Sequence, residues 1–335
     1  MSHVVNPRFA RRRDRLRRNL GGMVISNTFK AAAKVARLHP QANPAKHGVE
    51  VKKNIAYVDD GNSVHSLDVY RPVDLGKKLR PTVLFIHGGG FRILSKDTHW
   101  VFALALARRG YVVFSINYRL APEHPFPAAV EDVADAYAFT VRAARTFGGD
   151  PNQLIVTGES AGGNLSLGTA ISACYQRDEP WCKTIWDTGV VPKVVAPLCG
   201  ILQVSNVERL LVKGVCKVVG DRVHEISDAY LGGAEGIEDS WKDLADPLLV
   251  LESEAQSQRP LPPMFTSCGT NDLLLEDSLR LNRALEKREV RTVSRVYQGE
   301  LHAFQAFVWR KNAQQSWRDL FEFLDEEVPP PSSSD

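Results

Sequence analysis

Leu154-Ile155-Val156-Thr157-Gly158-Glu159-Ser160-Ala161-Gly162-Gly163 is the stretch that decides the fold. Leu154-Ile155-Val156 reads as a short strand covered on both faces. Residues 161–176 read as a helix. Between them lies G-x-S-x-G, a serine on a strand-to-helix turn. A turn this sharp brings the backbone close to its neighbours, so small residues are needed on both sides of Ser160. The turn lifts the serine hydroxyl above the sheet, and the helix N-terminus points its amides at the same place. The pentapeptide alone arises by accident in roughly one chain in ten of this length. Its position between strand and helix therefore carries the weight.

Working outward, Thr82-Val83-Leu84-Phe85-Ile86 is a second near-continuous apolar run, followed at once by His87-Gly88-Gly89-Gly90. Three consecutive glycines allow torsions that other residues resist, so their N–H groups can face a substrate oxygen. The reading places an oxyanion hole at the amides of Gly88, Gly89 and Ala161. His87, Gly90 and Glu159 are read as support for these turns. Further strands read at 111–116, 191–198, 264–266 and 292–297, and helices at 98–109, 128–147, 277–288 and 315–326. Strands alternating with helices of this length imply a parallel sheet with helices on both faces. A hairpin over 51–58 and 64–70, around Asp60-Gly61, precedes it. Residues 201–245 break the rhythm and read as an insertion over the sheet's edge. The Pro- and Ser-rich tail, 326–335, reads as disordered.

The 335 residues are 44% hydrophobic and 24% charged, a globular composition with ample core material. No run approaches the length of a transmembrane helix. A net charge of +3 is too balanced for nucleic acid to be the main partner. The charge is nonetheless polarised. Residues 1–40 hold ten Lys/Arg and one acid, Asp14, with seven arginines between Arg8 and Arg18. Residues 8–18 therefore suit peripheral contact with an anionic membrane. Leu20 to Ile25 is too short and glycine-rich for a secretory core, although the arginines also suit an organellar transit peptide. The five cysteines (Cys174, Cys182, Cys199, Cys216, Cys268) show no C-x-x-C pair. Cys199 and Cys268 read as small buried core residues, and a reduced cytoplasmic protein is favoured over one disulfide in an exported one, with no metal site and no cofactor.

The motifs His87-Gly88-Gly89-Gly90-Phe91, Gly158-Glu159-Ser160-Ala161-Gly162-Gly163 and Tyr118-Arg119-Leu120-Ala121-Pro122-Glu123-His124-Pro125-Phe126-Pro127-Ala128-Ala129 together resemble the hormone-sensitive-lipase family of α/β-hydrolases. The resemblance covers about residues 50–325. It implies an α/β-hydrolase fold: a mostly parallel sheet of about eight strands with helices on both faces and a helical cap. The cap would come from residues 1–48 and an insertion at about 201–245, the hydrolase domain from 49–325. It also implies the order serine, acid, histidine along the chain. Gly299-Glu300-Leu301-His302 follows the last strand, where the family places its base. Asp272, in Gly269-Thr270-Asn271-Asp272-Leu273, matches the family aspartate, with Asp277 and Glu276 as rivals. Glu123 and His124 would brace the glycine loop, with Tyr118 beneath it, and Asp246 would be structural. The implied activity is hydrolysis of small carboxylic esters through an acyl-enzyme. Apolar cap residues such as Leu16, Leu20, Phe29, Leu210 and Leu211 suit short-to-medium acyl chains. An amidase or lactonase would use the same triad. A non-catalytic receptor on this fold is disfavoured by the presence of His302. The resemblance also implies a homodimer.

Overall fold

Runs of consecutive apolar residues become strands buried on both faces, and they are the middle of one eight-stranded sheet. The computed structural model describes residues 27–28, 31–211, 217–232 and 237–330. The strands are β1 (Val49–Ala56), β2 (Ser66–Pro72), β3 (Arg80–Ile86), β4 (Val112–Ile116), β5 (Gly149–Glu159), β6 (Val194–Leu198), β7 (Met264–Gly269) and β8 (Thr292–Tyr297). Their spatial order is β1-β2-β4-β3-β5-β6-β7-β8. β2 pairs antiparallel with β1 and β4, and every pairing from β4 to β8 is parallel.

The main helices between strands and after β8 are α1 (Trp100–Arg108), α2 (Ala128–Ala143), α3 (Ala161–Cys174), α4 (Pro180–Trp186), α5 (Lys217–Leu231), α6 (Pro247–Glu252), α7 (Leu275–Lys287) and α8 (Lys311–Glu327). Alternate residues of β3 feed opposite cores. Leu84 and Ile86 pack with Phe114, Val133, Tyr137 and Leu165. Val83 and Phe85 pack with Phe102, Leu106, Trp317 and Leu320. Each such fully buried side chain contributes about 1.5–3 kcal/mol relative to exposure. That is why β3, all of whose residues are buried, anchors the sheet.

The strand order reverses around β3. The chain passes from β3 to β4 on one side and then crosses to β5 on the other. In open α/β sheets such a switch point leaves a crevice beyond the carboxyl ends of the strands. The turn after β3 begins at His87, and the turn after β5 is Ser160.

Several elements differ from the sequence reading. β5 is eleven residues long because Gly149 and Asp150 pair with Arg80 and Pro81 ahead of the apolar run. α4 is a short helix that periodicity did not reveal. α8 starts at Lys311, and the tail is ordered further than expected, since Val328 is buried in the core beside Leu324. Of the insertion, residues 201–211, 217–232 and 237–245 are described. Its helix α5 lies over the glycine turn after β3, as described below. From the N-terminal segment, residues 31–36 are helical, and Arg37 pairs with Asp97 and lies over the Trp100 ring, 5.9 Å from its centre. The Arg-rich residues 8–18 lie outside the described residues. Among the described residues, no helix is long and apolar enough to cross a membrane.

Candidate active site

Ser160 has φ 57° and ψ −118°, a conformation that non-glycine residues rarely adopt. Its surroundings explain why the flanking residues are glycines. A Cβ on Gly158 would lie 2.4 Å from the Ile86 carbonyl oxygen, and one on Gly162 would lie 2.1 Å from it. The turn is pinned by hydrogen bonds to β6 and its exit: the Ser160 amide donates to Leu198 O (3.0 Å), and the Ile201 amide donates to Ser160 O (3.3 Å). The hydroxyl therefore stands at a fixed place beyond the sheet.

Two loops bring partners to it. The Glu300 carbonyl, in the turn after β8, receives the Asn271 amide (3.0 Å), which sits in the turn after β7. This joins the turns that carry His302 and Asp272. His302 Nε2 lies 2.9 Å from Ser160 Oγ, and His302 Nδ1 lies 2.9 Å from Asp272 Oδ2. Asp272 Oδ1 accepts the Leu274 amide at 2.9 Å. Asp272 is buried, while the His302 side chain is 41% exposed, so the histidine forms the open side of the site. Burial alone would raise the Asp272 carboxyl pKa. The facing His302 charge and hydrogen bond, and the Leu274 amide, hold it below the usual range. Crowding by protein works toward a neutral His302, but the Asp272 carboxylate overrides it and holds the imidazole well above its ordinary value.

The rivals for the acid have other work. Asp277 is buried and accepts the Leu202 amide (2.8 Å) and Arg209 Nη2 and Nε. Glu276 is exposed and pairs with Arg283. Asp246 accepts the amides of Val204 and Ser205, which holds the chain leaving β6.

The glycine turn after β3 packs against the exit of β5. The Gly88 backbone lies against the Glu159 carboxylate, and a Cβ on Gly88 would lie 2.0 Å from Glu159 Oε1. The amides of Gly88 and Gly89, in this turn, and of Ala161, in the first turn of α3, are the candidate oxyanion donors. Glu159 also receives His99 Nε2 at 2.8 Å. Burial would raise its pKa, but His99, His302 and the Gly88 amide hold it below normal. His87 is buried and pushed down to about 3, chiefly by desolvation and then by His99. It is therefore neutral, and its Nδ1 donates to Gly88 O at 2.7 Å. Tyr118 stacks on it with ring centres 4.3 Å apart and donates its hydroxyl to His87 O at 2.9 Å. Glu123 and His124 do not brace the loop. Both are exposed, and the bracing contact from that segment is the Ala121 amide to Phe91 O, 2.8 Å.

Helix α5 closes over the same turn. Tyr230 stacks on Phe91 with ring centres 3.7 Å apart. Ile226 lies directly over Gly90, where a Cβ would meet it at 2.7 Å. Glu225 pairs with Arg92 and Arg222. Sequence reasoning missed His99, Ile226, Tyr230 and Cys199 here. None carries a local motif, since each meets the site only through the fold. Cys199 follows β6 with φ 36° and is buried, and its thiol faces His302. Burial pushes that thiol pKa up while His302 works against the rise.

A serine on a strained strand–helix turn, with a histidine and a carboxylate from later loops of a mostly parallel sheet, defines a hydrolase of the α/β type. The family model described as the alpha/beta hydrolase fold matches residues 83–306, and the chain belongs to this family. Its likeness runs to the hormone-sensitive-lipase and carboxylesterase type. An esterase of Acinetobacter venetianus is 27% identical over 248 residues, spanning 72% of this chain and 73% of that protein. Carboxylesterase NlhH of Mycobacterium tuberculosis is 38% identical over 159 residues, which are 45% of this chain and about half (48%) of that protein. Among solved structures, an esterase of Pyrobaculum calidifontis superposes with a TM-score of 0.68 at 27% identity, covering 89% of this chain and 91% of that one. Esterase B of Lactobacillus rhamnosis shares the fold with a TM-score of 0.69 at 18% identity, covering 91% and 96%.

Proposed function

We propose that Ser160, His302 and Asp272 hydrolyse carboxylic esters of short-to-medium acyl chains through an acyl-enzyme. Ester hydrolysis itself follows from family membership and from the esterases among the relatives. The observation that carries the residue assignment is His302, 2.9 Å from Ser160 Oγ through one nitrogen and 2.9 Å from Asp272 through the other. His302 accepts the Ser160 proton as the oxygen attacks the ester carbonyl, and then gives that proton to the leaving alcohol. Asp272 fixes the tautomer with the proton on Nδ1 and stabilises the imidazolium. The amides of Gly88, Gly89 and Ala161 receive the oxyanion. Water then attacks the acyl-enzyme with His302 again as base. The short-to-medium preference is supported by Ile226 of α5, which presses against Gly90 and narrows the space beside the glycine turn.

Hydrolysis of p-nitrophenyl esters from acetyl to palmitoyl, with Ser160→Ala alongside, tests this reading. Activity should peak at short chains, and the variant should lose several orders of magnitude in kcat with substrate binding largely intact. Retention of more than about a tenth of the activity would remove Ser160 from its role.

The partner and location readings rest on sequence alone. Residues 8–18 are proposed to contact anionic membrane from a cytoplasmic location. A chain lacking residues 1–20 should sediment less with anionic vesicles, and equal binding would remove that contact. A homodimer is proposed on family resemblance.

A further inference from the structure

A second set of donors meets the same histidine. A carboxylate oxygen of Glu159, the Cys199 Sγ and a ring nitrogen of His302 all lie within 4.8 Å of one another. They come from the exits of three different strands: β5, β6 and β8. We propose that these three side chains form an inhibitory site for a borderline-soft divalent cation of the zinc class.

Zinc takes thiolate, imidazole and carboxylate ligands together in four-coordinate sites. Bond lengths of about 2.0–2.3 Å put tetrahedral ligand atoms roughly 3.5 Å apart, so closing the cluster needs a shift of about an ångström or less per side chain. The surroundings already orient the donors. His302 Nδ1 donates to Asp272 at 2.9 Å, so the Nε2 lone pair points outward, where it accepts from Ser160 Oγ at 2.9 Å or, with that hydroxyl turned away, binds a cation. A carboxylate behind the imidazole is the arrangement that metal-ligating histidines use. Glu159 accepts His99 at 2.8 Å through Oε1, and a carboxylate has about four lone-pair positions, so others remain for a cation. The Cys199 amide is fixed to Ser267 O at 2.9 Å, which holds the thiol's backbone in place. On binding, the metal–sulfur bond replaces the S–H bond, the proton leaves to solvent and no oxidation state changes. Water completes the coordination. The open face of His302 is the entry route, since the thiol itself is buried.

A cation on Nε2 removes the acceptor for the Ser160 proton, so hydrolysis stops while the fold stays intact. This consequence rests on His302 serving as base, whereas the site itself does not. The test uses the full chain. Titration with Co²⁺ should raise a thiolate-to-cobalt charge-transfer band in the near ultraviolet, absent in both Cys199→Ala and Cys199→Ser. In parallel, Zn²⁺ should inhibit p-nitrophenyl butyrate hydrolysis at micromolar concentration, reversibly with EDTA. Both variants should keep basal hydrolysis within about twofold and need about tenfold or more zinc for the same inhibition. A band that is missing, or that persists unchanged in both variants, overturns the site even if hydrolysis proceeds normally. A Cys199-dependent band with undiminished hydrolysis supports the site and instead refutes His302 as the base.

Discussion

Asp272→Asn is the substitution whose outcome the geometry constrains most tightly. Asp272 accepts two hydrogens, the Leu274 amide on Oδ1 and His302 Nδ1–H on Oδ2, each at 2.9 Å. An asparagine has one oxygen and one NH₂ for these two places. With its oxygen kept on Leu274, its NH₂ faces Nδ1, which must then accept. The imidazole proton moves to Nε2 and points at Ser160 Oγ, so the hydroxyl has no base. The flipped amide keeps the tautomer but sets its NH₂ against the Leu274 amide, leaving a buried donor unpaired at about 1–3 kcal/mol. The wrong-tautomer state therefore dominates. The loss expected from such a carboxylate-to-amide change in a serine triad is about 10⁴ in kcat, or about 5.5 kcal/mol in the barrier. KM should change little.

The pH profile adds a second readout. The Asp272 carboxylate holds His302 above its ordinary value, so parent kcat/KM should still be rising above about pH 6.5. Removing the carboxylate moves any residual acid limb to lower pH. Stability follows the same pair. The protonated, raised His302 stabilises the fold below its unfolded pKa, and this is lost as pH rises through the native value. The ionised, depressed Asp272 stabilises it above about pH 4, and this is lost as pH falls through the native value. The parent's stability advantage over the variant should thus be greatest between about pH 4 and 6.5. Steady-state hydrolysis of p-nitrophenyl butyrate from about pH 5 to 9 reads both kinetic effects. A variant within tenfold of the parent kcat, or an unmoved acid limb, would refute the argument.

Two further outcomes concern the scaffold. Gly162→Ala would place a Cβ 2.1 Å from the Ile86 carbonyl oxygen, a backbone atom in the sheet centre. A loss of about 3 kcal/mol or more in urea unfolding is expected, and an unchanged midpoint would contradict it. Lys96 is buried 2.8 Å from buried Asp68 and also donates to Asn54 at 2.8 Å. Lys96→Met strands the carboxylate and should lose about 3–5 kcal/mol, while Lys96→Met with Asp68→Leu regains most of it. Equal stability of the single variant and the parent would count against a structural ion pair.

The parts of this molecule legible in the sequence are those whose physics is local. The run at Leu154, the small residues around Ser160 and the glycines after Ile86 answer to backbone geometry within a few residues, so position along the chain is enough to read them. Asp272 and His302 were reachable because each sits in the turn directly after a strand. The close approach of Gly88 to Glu159, seventy-one residues later in the chain, is tertiary and leaves no local signal. Glu123 and His124 look functional in the motif, yet the backbone of Ala121 does the bracing. His99, Cys199 and Tyr230 were invisible for the same reason, since only the closed sheet and the returning helix bring them to the site.

The stacking of Tyr230 on Phe91 and the seating of Ile226 on Gly90 give helix α5 more than a roofing role. The same contacts that cover the glycine turn also clamp the segment whose amides are proposed to receive the developing charge. A molecule with this helix swung outward would admit an ester readily but lack a rigid cradle for it. Admission and reaction would then belong to two different postures of one polypeptide. Turnover would be timed by how quickly the helix returns to its seat, with the bond-breaking machinery idle in the meantime.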